Sequence, residues 1–400
     1  MQNNKLSHNV DVVVKFFYPL WAGIEVNVAN VYGFMAQKGW QVNLHTTKDL
    51  PDAKNSLPDK AVFRGIKVNR YRWHWWGFLP KIDWEKTEAV CLHNFDIFPH
   101  SWILAYAGLR KIFGIKTPKI FLTPHGGFTI ATGWHTYPLW QRLIKRTYQA
   151  TLGVFLINHV VDGFRSVSEW EGEEAVKNGL NPEKLYVITN GLEDEAYGDI
   201  DNLASPKVKK IAEDLGKYVL QIGRIHPIKN QATTIKAMAE VPKNVRFAMI
   251  GPVTNFEYEK ELKELIKKLG LEQRIKFLGV ISGTDKYYLL KHCLAYSHMS
   301  TWESYCNTVH ESMSQGCVCV VSKDTALEEL IQDKVTGFAV QVMDYHAVAE
   351  KINYVINNLD SEFIRKIREN SIKFTQGHSW REISGQVAQM YNHYFPEPQK

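Results

Sequence analysis

Two carboxylates eight positions apart, Glu303 and Glu311, bound the segment of this sequence best fitted to bind a polar ligand: Thr301-Trp302-Glu303-Ser304-Tyr305-Cys306-Asn307-Thr308-Val309-His310-Glu311. Glu303 follows an apolar run that reads as a strand. Asn307 is a good N-cap, and the residues from Thr308 to the glycine stop at Gly316 read as a helix. A helix N-terminus offers N–H groups and the positive end of its dipole to an anion such as a diphosphate. A carboxylate in the loop can then accept hydrogen bonds from sugar hydroxyls, and one a turn into the helix those of a ribose. By pattern alone, two solvated glutamates fit the same spacing.

Three further segments carry reactive or ligand-binding residue types. Val219-Leu220-Gln221-Ile222-Gly223-Arg224 is an apolar run ending in Gly-Arg, and Lys229 follows five positions later. The arginine can fork onto phosphate oxygens and the lysine supplies a point charge; a surface basic pair is the plainer reading. Thr123-Pro124-His125-Gly126-Gly127 places a histidine beside two glycines at the end of another apolar run. Pro19-Leu20-Trp21-Ala22-Gly23-Ile24-Glu25 forms the first strand-to-helix turn, with Gly23 where a backbone could approach a ligand closely.

The elements that must position these residues alternate in type. Strand-like runs fall at residues 11–17, 41–46, 89–93, 119–123, 163–168 and 185–189. A second series falls at 218–222, 245–250, 275–278, 294–297 and 318–321. Helical periodicity fills the intervals, for example at 101–113, 140–154, 231–240, 257–269, 287–292 and 308–315. Repeated β-α-β units imply parallel, doubly wound sheets. The 400 residues exceed what one core holds, since single cores stop growing beyond roughly 250–300 residues. The join falls near 192–205. Ligands bind at the carboxyl ends of such strands, so a cleft between the two halves is the default site.

Composition excludes several classes. Hydrophobic residues make up 45% and charged residues 22%, the profile of a folded globular protein. A net charge of +6 is too small for a chain of this length to argue for nucleic acid, yet suits anionic ligands or an acidic membrane surface. Five cysteines in no regular framework fit a reducing compartment; Cys317 and Cys319 lie in an apolar run and read as strand core. Residues 1–10 are polar and carry no apolar h-region, which argues against a signal peptide, and no stretch reaches the ~18 apolar residues that span a bilayer.

With these residues in view, the chain resembles the retaining GT-B glycosyltransferases of the large family 4 kind (glycosyl transferases group 1). Their hallmark is Glu, a short Gly-rich loop, then Glu eight positions on, a small-residue helix, Gly and an apolar strand. Here these are Glu303, Glu311, Gly316 and Cys317 to Val321, with Ser304-Tyr305-Cys306 in place of Gly-Phe-Gly. Further family-like segments are 187–191, 277–280, 335–338 and 378–380, which extend the resemblance across nearly the whole chain. The resemblance implies an α/β GT-B fold of two Rossmann-like, doubly wound domains facing across a cleft. The domains are residues 1–195 for acceptor binding, 196–375 for the nucleotide sugar, and a last helix, 376–400, crossing back. It implies a metal-independent, retaining hexosyltransferase without a cofactor, which moves a sugar from a nucleotide-diphosphate donor, UDP- favoured over GDP-linked, to a saccharide or lipid-linked acceptor. Polysaccharide biosynthesis in the cytoplasm is the implied setting. The implied catalytic residues are His125, Glu303, Arg224 and Lys229. Donor contacts are Gly23, Gly223, Arg224, Lys229, Val280, Glu303, Tyr305, Cys306, Asn307, Thr308 and Glu311; acceptor contacts are His93, Asn94, Asp96 and Trp76. A sugar phosphorylase or nucleotide-sugar epimerase of the same fold, or a non-catalytic carbohydrate-binding protein, are the alternatives.

Two other features bear on function. Asp199-Ile200-Asp201 matches a metal-binding Asp-x-Asp pattern but reads as a solvated turn between the domains. The aromatic cluster of residues 71–78 admits three readings: strand core, acceptor platform, or a peripheral membrane edge flanked by Arg70, Arg72 and Lys81. If it is a strand, Trp73 and Trp75 share one face, and Trp76 is the ring expected outside.

Overall fold

The computed structural model describes residues 8–20, 22–50, 56–95, 97–128 and 138–395. The chain divides into two compact units, Met1–Gly191 with Trp380–Lys400, and Leu192–Ser379.

The first unit holds an eight-stranded sheet of β1 (Asn9–Val13), β2 (Gln41–Thr47), β3 (Lys60–Phe63), β4 (Ile66–Tyr71), β5 (Ala89–His93), β6 (Lys119–Thr123), β7 (Gly163–Ser166) and β8 (Leu185–Val187). Their order is β3-β4-β2-β1-β5-β6-β7-β8. All neighbours are parallel except β3 and β4, which form an antiparallel pair. The second unit holds a six-stranded, wholly parallel sheet of β9 (Tyr218–Ile222), β10 (Arg246–Ile250), β11 (Ile275–Phe277), β12 (Ala295–His298), β13 (Cys319–Ser322) and β14 (Gly337–Val340). Their order is β11-β10-β9-β12-β13-β14. In each sheet the winding reverses beside the unit's first strand, between β1 and β5 and between β9 and β12. Helices cover both faces of such sheets, so the central strands read as unbroken apolar runs; β5 and β9 are buried along their whole length.

The C-terminal helix, Trp380–Asn392, packs on the helix Gly23–Gln37 of the first unit. A Cβ at Gly191 would lie 2.6 Å from the Trp380 Cα, so only glycine lets the outgoing and returning segments approach this closely. Beside it, the Leu192 N–H donates to the His378 carbonyl at 2.7 Å. The units change over at this crossing, four residues from the boundaries read at 195/196 and 375/376.

One segment carried no reading in the sequence, and two local readings need correction. The segment before the aromatic cluster is two strands, β3 and β4. Within β4, Ile66, Val68 and Arg70 face inward, and the buried arginine hides the alternation. β4 ends at Tyr71, and His74 and Gly77 then close a turn, so strand alternation does not reach the tryptophans. Trp75 is therefore the ring outside, 86% exposed, whereas Trp76 is half-buried and stacks on His74. The region 140–154 is an α-helix, Leu139–Tyr148, followed by one wider π turn, Gln149–Gly153. Among the described residues no helix is long and apolar enough to cross a membrane.

Candidate active site

The carboxyl ends of β9 and β12 are neighbours at the reversal point of the second sheet, where doubly wound sheets bind ligands. β9 runs into Gly223 and Arg224, and the chain then makes a single 3₁₀ turn, Pro227–Lys229. Gly251, at the end of β10, has φ +144°, and a Cβ there would overlap the Gly223 carbonyl; glycine lets the two strand ends abut. β12 runs into the loop carrying Glu303, and the helix Asn307–Ser314 follows. Its N-cap is Cys306 in the left-handed region (φ +77°), one residue before the expected Asn307. This backbone geometry starts the helix without a side-chain cap.

Glu303 is the centre of a buried cluster. Its Oε1 accepts from Lys229 Nζ (2.5 Å), Ser300 Oγ (2.7 Å) and His298 Nε2 (2.8 Å). Cys306 Sγ lies 3.3 Å from the same His298 nitrogen. Burial alone would raise the Glu303 pKa, but Lys229 and His298 more than reverse this and hold it well below the usual carboxylate range. Burial likewise opposes charge on His298, while Cys306 and Glu303 outweigh it and raise the ring to about 9. Glu303 is thus an acceptor that stays ionised, and His298 a buried cation behind it. The ligand-type atoms of His298, Glu303 and Cys306 lie within 4.8 Å of one another, close enough to hold a metal ion. The Lys229 ammonium already shares the Glu303 oxygen that such an ion would use.

Glu311 sits in the second turn of the helix. Its Oε1 accepts from Lys286 Nζ at 2.9 Å, and Oε2 is buried with no hydrogen-bond partner. Lys286 also reaches Glu193 at 3.5 Å. Burial is the largest influence on both Lys286 and Glu311. The two acids overcome it at Lys286, whose pKa is raised. At Glu311 burial and Glu193 outweigh Lys286, so its pKa is also raised. Lys286 is the counter-charge that limits this rise.

The other expected donor contacts are placed as follows. Arg224 is exposed at the β9 end, and Val280 is exposed just past β11. Thr308 donates to the Ile222 carbonyl at 3.2 Å, tying the helix start to β9. The Tyr305 side chain is buried and hydrogen-bonded to His310 Nδ1 at 3.0 Å. Gly23 opens the first helix of the other unit.

In the first unit, β5 and β6 pair His93 with Thr123, so His93, Asn94 and His125 gather at adjacent strand ends. Asn94 and His125 both adopt positive φ. His93 Nδ1 and His125 Nε2 are 3.0 Å apart; His93 Nε2 lies 2.8 Å from the Tyr32 hydroxyl, itself 2.8 Å from that of Tyr391. Burial, then the buried Arg165, lowers His125 to about 3; His93 is lowered by burial first, then by His125 and Arg165. Both rings are neutral near pH 7. Trp76 lies apart on the turn of residues 74–77, its carbonyl accepting from Trp102 Nε1 at 3.3 Å. Asp96 lies outside the described residues.

Asp199 accepts from the Asn202 N–H and caps the short helix Ile200–Leu203, and Asp201 pairs with Lys291 and His292. The pair is a structured cap and ion pair, where the sequence suggested a solvated turn.

Sequence reasoning missed His298, Ser300 and Lys286. A signal for Lys286 existed: helical spacing sets it on the same face as Leu289, Leu290 and Cys293, an apolar stripe on which lysine needs a partner.

Two family models match the chain: "Glycosyltransferase Family 4" over residues 21–196 and "Glycosyl transferases group 1" over residues 205–374. A Campylobacter jejuni N-acetylgalactosamine-N,N'-diacetylbacillosaminyl-diphospho-undecaprenol 4-alpha-N-acetylgalactosaminyltransferase is 26% identical over 236 residues, which are 58% of this chain and 60% of that protein. A Bacillus anthracis N-acetyl-alpha-D-glucosaminyl L-malate synthase is 23% identical over 88% of this chain and 89% of its own. Among solved structures, Anabaena HepE in complex with UDP-glucose superposes with a TM-score of 0.74 at 19% identity, covering 96% of this chain and 99% of that one. Sucrose-phosphate synthase of Thermosynechococcus elongatus gives 0.75 at 16%, covering 96% and 98%.

Proposed function

The chain belongs to the glycosyl transferases of group 1 and has the GT-B fold, and on that premise we propose that it transfers a sugar, with retention, from a nucleotide-diphosphate sugar held by the second unit. The observation that carries this reading is the cluster at the β9 and β12 ends, where an ionised Glu303 is set between Lys229 and the start of the helix Asn307–Ser314.

Arg224, Lys229 and the helix N-terminus take the diphosphate and offset the charge that grows on it as the sugar leaves. Glu303, far below the usual carboxylate range, accepts from sugar hydroxyls and delivers no proton. The unpartnered Glu311 Oε2 accepts from ribose. Val280 borders the base, and the Gly223 backbone lies close to the phosphates. His125, neutral near pH 7, acts as a hydrogen-bond partner of the reacting sugar, with His93 and Asn94 on the acceptor side. As the resemblance implies, the donor's own phosphate takes the acceptor proton on the same face, in place of the acid and nucleophile pair of a retaining glycosidase.

A uridine nucleotide is the favoured donor, in keeping with the UDP-glucose complex of HepE; GDP-mannose is the second choice. A lipid-linked saccharide is the favoured acceptor, in keeping with the undecaprenol-linked acceptor in the name of the Campylobacter relative. The thiols of Cys91, Cys293, Cys306, Cys317 and Cys319 are free, which suits the cytoplasm, where such donors are made. The test is a thermal-shift screen of nucleoside diphosphates, followed by NMR of the product formed from the stabilising donor. Stabilisation by UDP and a product that keeps the donor's anomeric configuration are expected. Inversion, or turnover only with inorganic phosphate, would overturn the mechanism or turn the reading to a phosphorylase.

A further inference from the structure

Four side chains of the first unit form one hydrogen-bonded file. The Tyr391 hydroxyl lies 2.8 Å from that of Tyr32, the Tyr32 hydroxyl 2.8 Å from His93 Nε2, and His93 Nδ1 3.0 Å from His125 Nε2. The His93 and His125 planes are 24° apart and their centroids 5.3 Å apart. With the facing nitrogens so much closer than the centroids, the rings meet edge to edge, and the N–H of one points at the lone pair of the other. Burial keeps both rings neutral near pH 7, so each carries one hydrogen and one lone pair on its nitrogens.

Counting hydrogens fixes the direction of the file. The Tyr32 and Tyr391 side chains are buried. Among the described residues, the only nitrogen or oxygen partners of their hydroxyls are each other and His93 Nε2. The Cys91 thiol beside them is a weak acceptor. If Tyr32 donated to Tyr391, the Tyr391 hydrogen would be buried without an acceptor, which costs the desolvation of that donor. Both hydrogens are used only when Tyr391 donates to Tyr32 and Tyr32 donates to His93 Nε2. His93 then carries its hydrogen on Nδ1 and donates to His125 Nε2, which leaves the His125 hydrogen on Nδ1. That nitrogen has no hydrogen-bond partner among the described residues, and His125 is only half-buried.

We infer that Tyr32 is a positioning residue which, through His93, holds His125 as a one-way donor: an Nδ1–H available to a ligand oxygen, and no lone pair left to take a proton. Nε2 is filled by the His93 hydrogen and Nδ1 is protonated. His125 can therefore steady an electron-rich sugar oxygen but cannot serve as the base toward an acceptor hydroxyl. The use of this donor in transfer rests on the function proposed above; the placing of the hydrogens does not.

The test is long-range ¹H–¹⁵N NMR of the full chain labelled in histidine, with the His125 ring identified by its loss in His125→Ala. Near pH 7 the wild type should show His125 and His93 each as a single form protonated on Nδ1. Tyr32→Phe removes one hydroxyl and keeps the ring. It should turn that single form into a mixture with the Nε2-protonated one and lower transfer in proportion to the fraction shifted. A wild-type His125 protonated on Nε2 would overturn the inference, and so would a Tyr32→Phe spectrum in which both rings keep the wild-type form. Should Tyr32→Phe misfold, the wild-type spectrum still decides the direction of the file. His125→Ala should lower turnover by roughly 10²–10³, the scale of losing one transition-state donor. Wild-type turnover in that variant, with the wild-type proton on Nδ1, would overturn the use of this donor in transfer while the proton assignment held.

Discussion

Replacing Lys286 with methionine tests the donor site at its least obvious point. The substitution keeps the length of the side chain and removes an ammonium 2.9 Å from Glu311 and 3.5 Å from Glu193. Stranding a buried carboxylate costs about 3–5 kcal/mol unless the group takes up a proton. Glu311 is already raised by burial, so loss of its counter-charge raises it further. The sign follows: a carboxyl raised by folding contributes stability that is present at acid pH and is lost as pH rises through its folded pKa. The variant should therefore melt at a lower temperature than wild type, with a deficit that widens as pH rises above the ordinary carboxylate range. A protonated Glu311 also gives up charge-assisted bonds to ribose worth roughly 1.5–3 kcal/mol, a loss of about 10- to 150-fold in UDP affinity. Calorimetry across the same pH range should show affinity recovering as Glu311 ionises, and Lys286→Arg should restore most of it at neutral pH. A variant with wild-type affinity at every pH would refute the reasoning, because Lys286 would then have no influence on the carboxylate.

Lys229→Ala should lower turnover by roughly 10²–10³, the scale of losing one transition-state donor; unchanged turnover would remove Lys229 from the phosphate site. His298 contributes stability that is fully present below about pH 6.5 and lost as pH rises through about 9, so melting temperature should decline over that window. Glu303→Gln should flatten the decline, and an equal decline in that variant would show that the His298–Glu303 pair does not govern it. Transfer should persist in excess chelator; loss restored by manganese would make the His298, Glu303 and Cys306 cluster a metal site.

What the sequence made legible is local. Glu303, Arg224, Lys229 and His125 each follow an apolar run within a few residues, so strand periodicity alone puts them near strand ends, and Glu311 lies in the helix that starts after one of them. β5, β6 and β9 match their expected bounds because buried parallel strands read as unbroken apolar runs. What escaped depends on contacts distant in the chain. The partner of Glu311 comes from a preceding helix, and the hydroxyl that joins the His93 chain through Tyr32 belongs to Tyr391, 359 positions away. The edge of the first sheet escaped for another reason: an inward arginine, Arg70, interrupts the apolar face of β4. The tryptophans after it sit in a turn, where a period of two has no meaning.

The two motif carboxylates offer the most direct test of the donor site. UDP binding by calorimetry and transfer rate should be measured side by side for Glu303→Gln and Glu311→Gln. Glu311→Gln should weaken UDP by roughly 10-fold or more, through loss of bonds to ribose, whereas Glu303→Gln should bind UDP as wild type does and fail in transfer. The opposite pattern, or full transfer in both variants, would contradict the placement of the nucleotide sugar at the ends of β9 and β12.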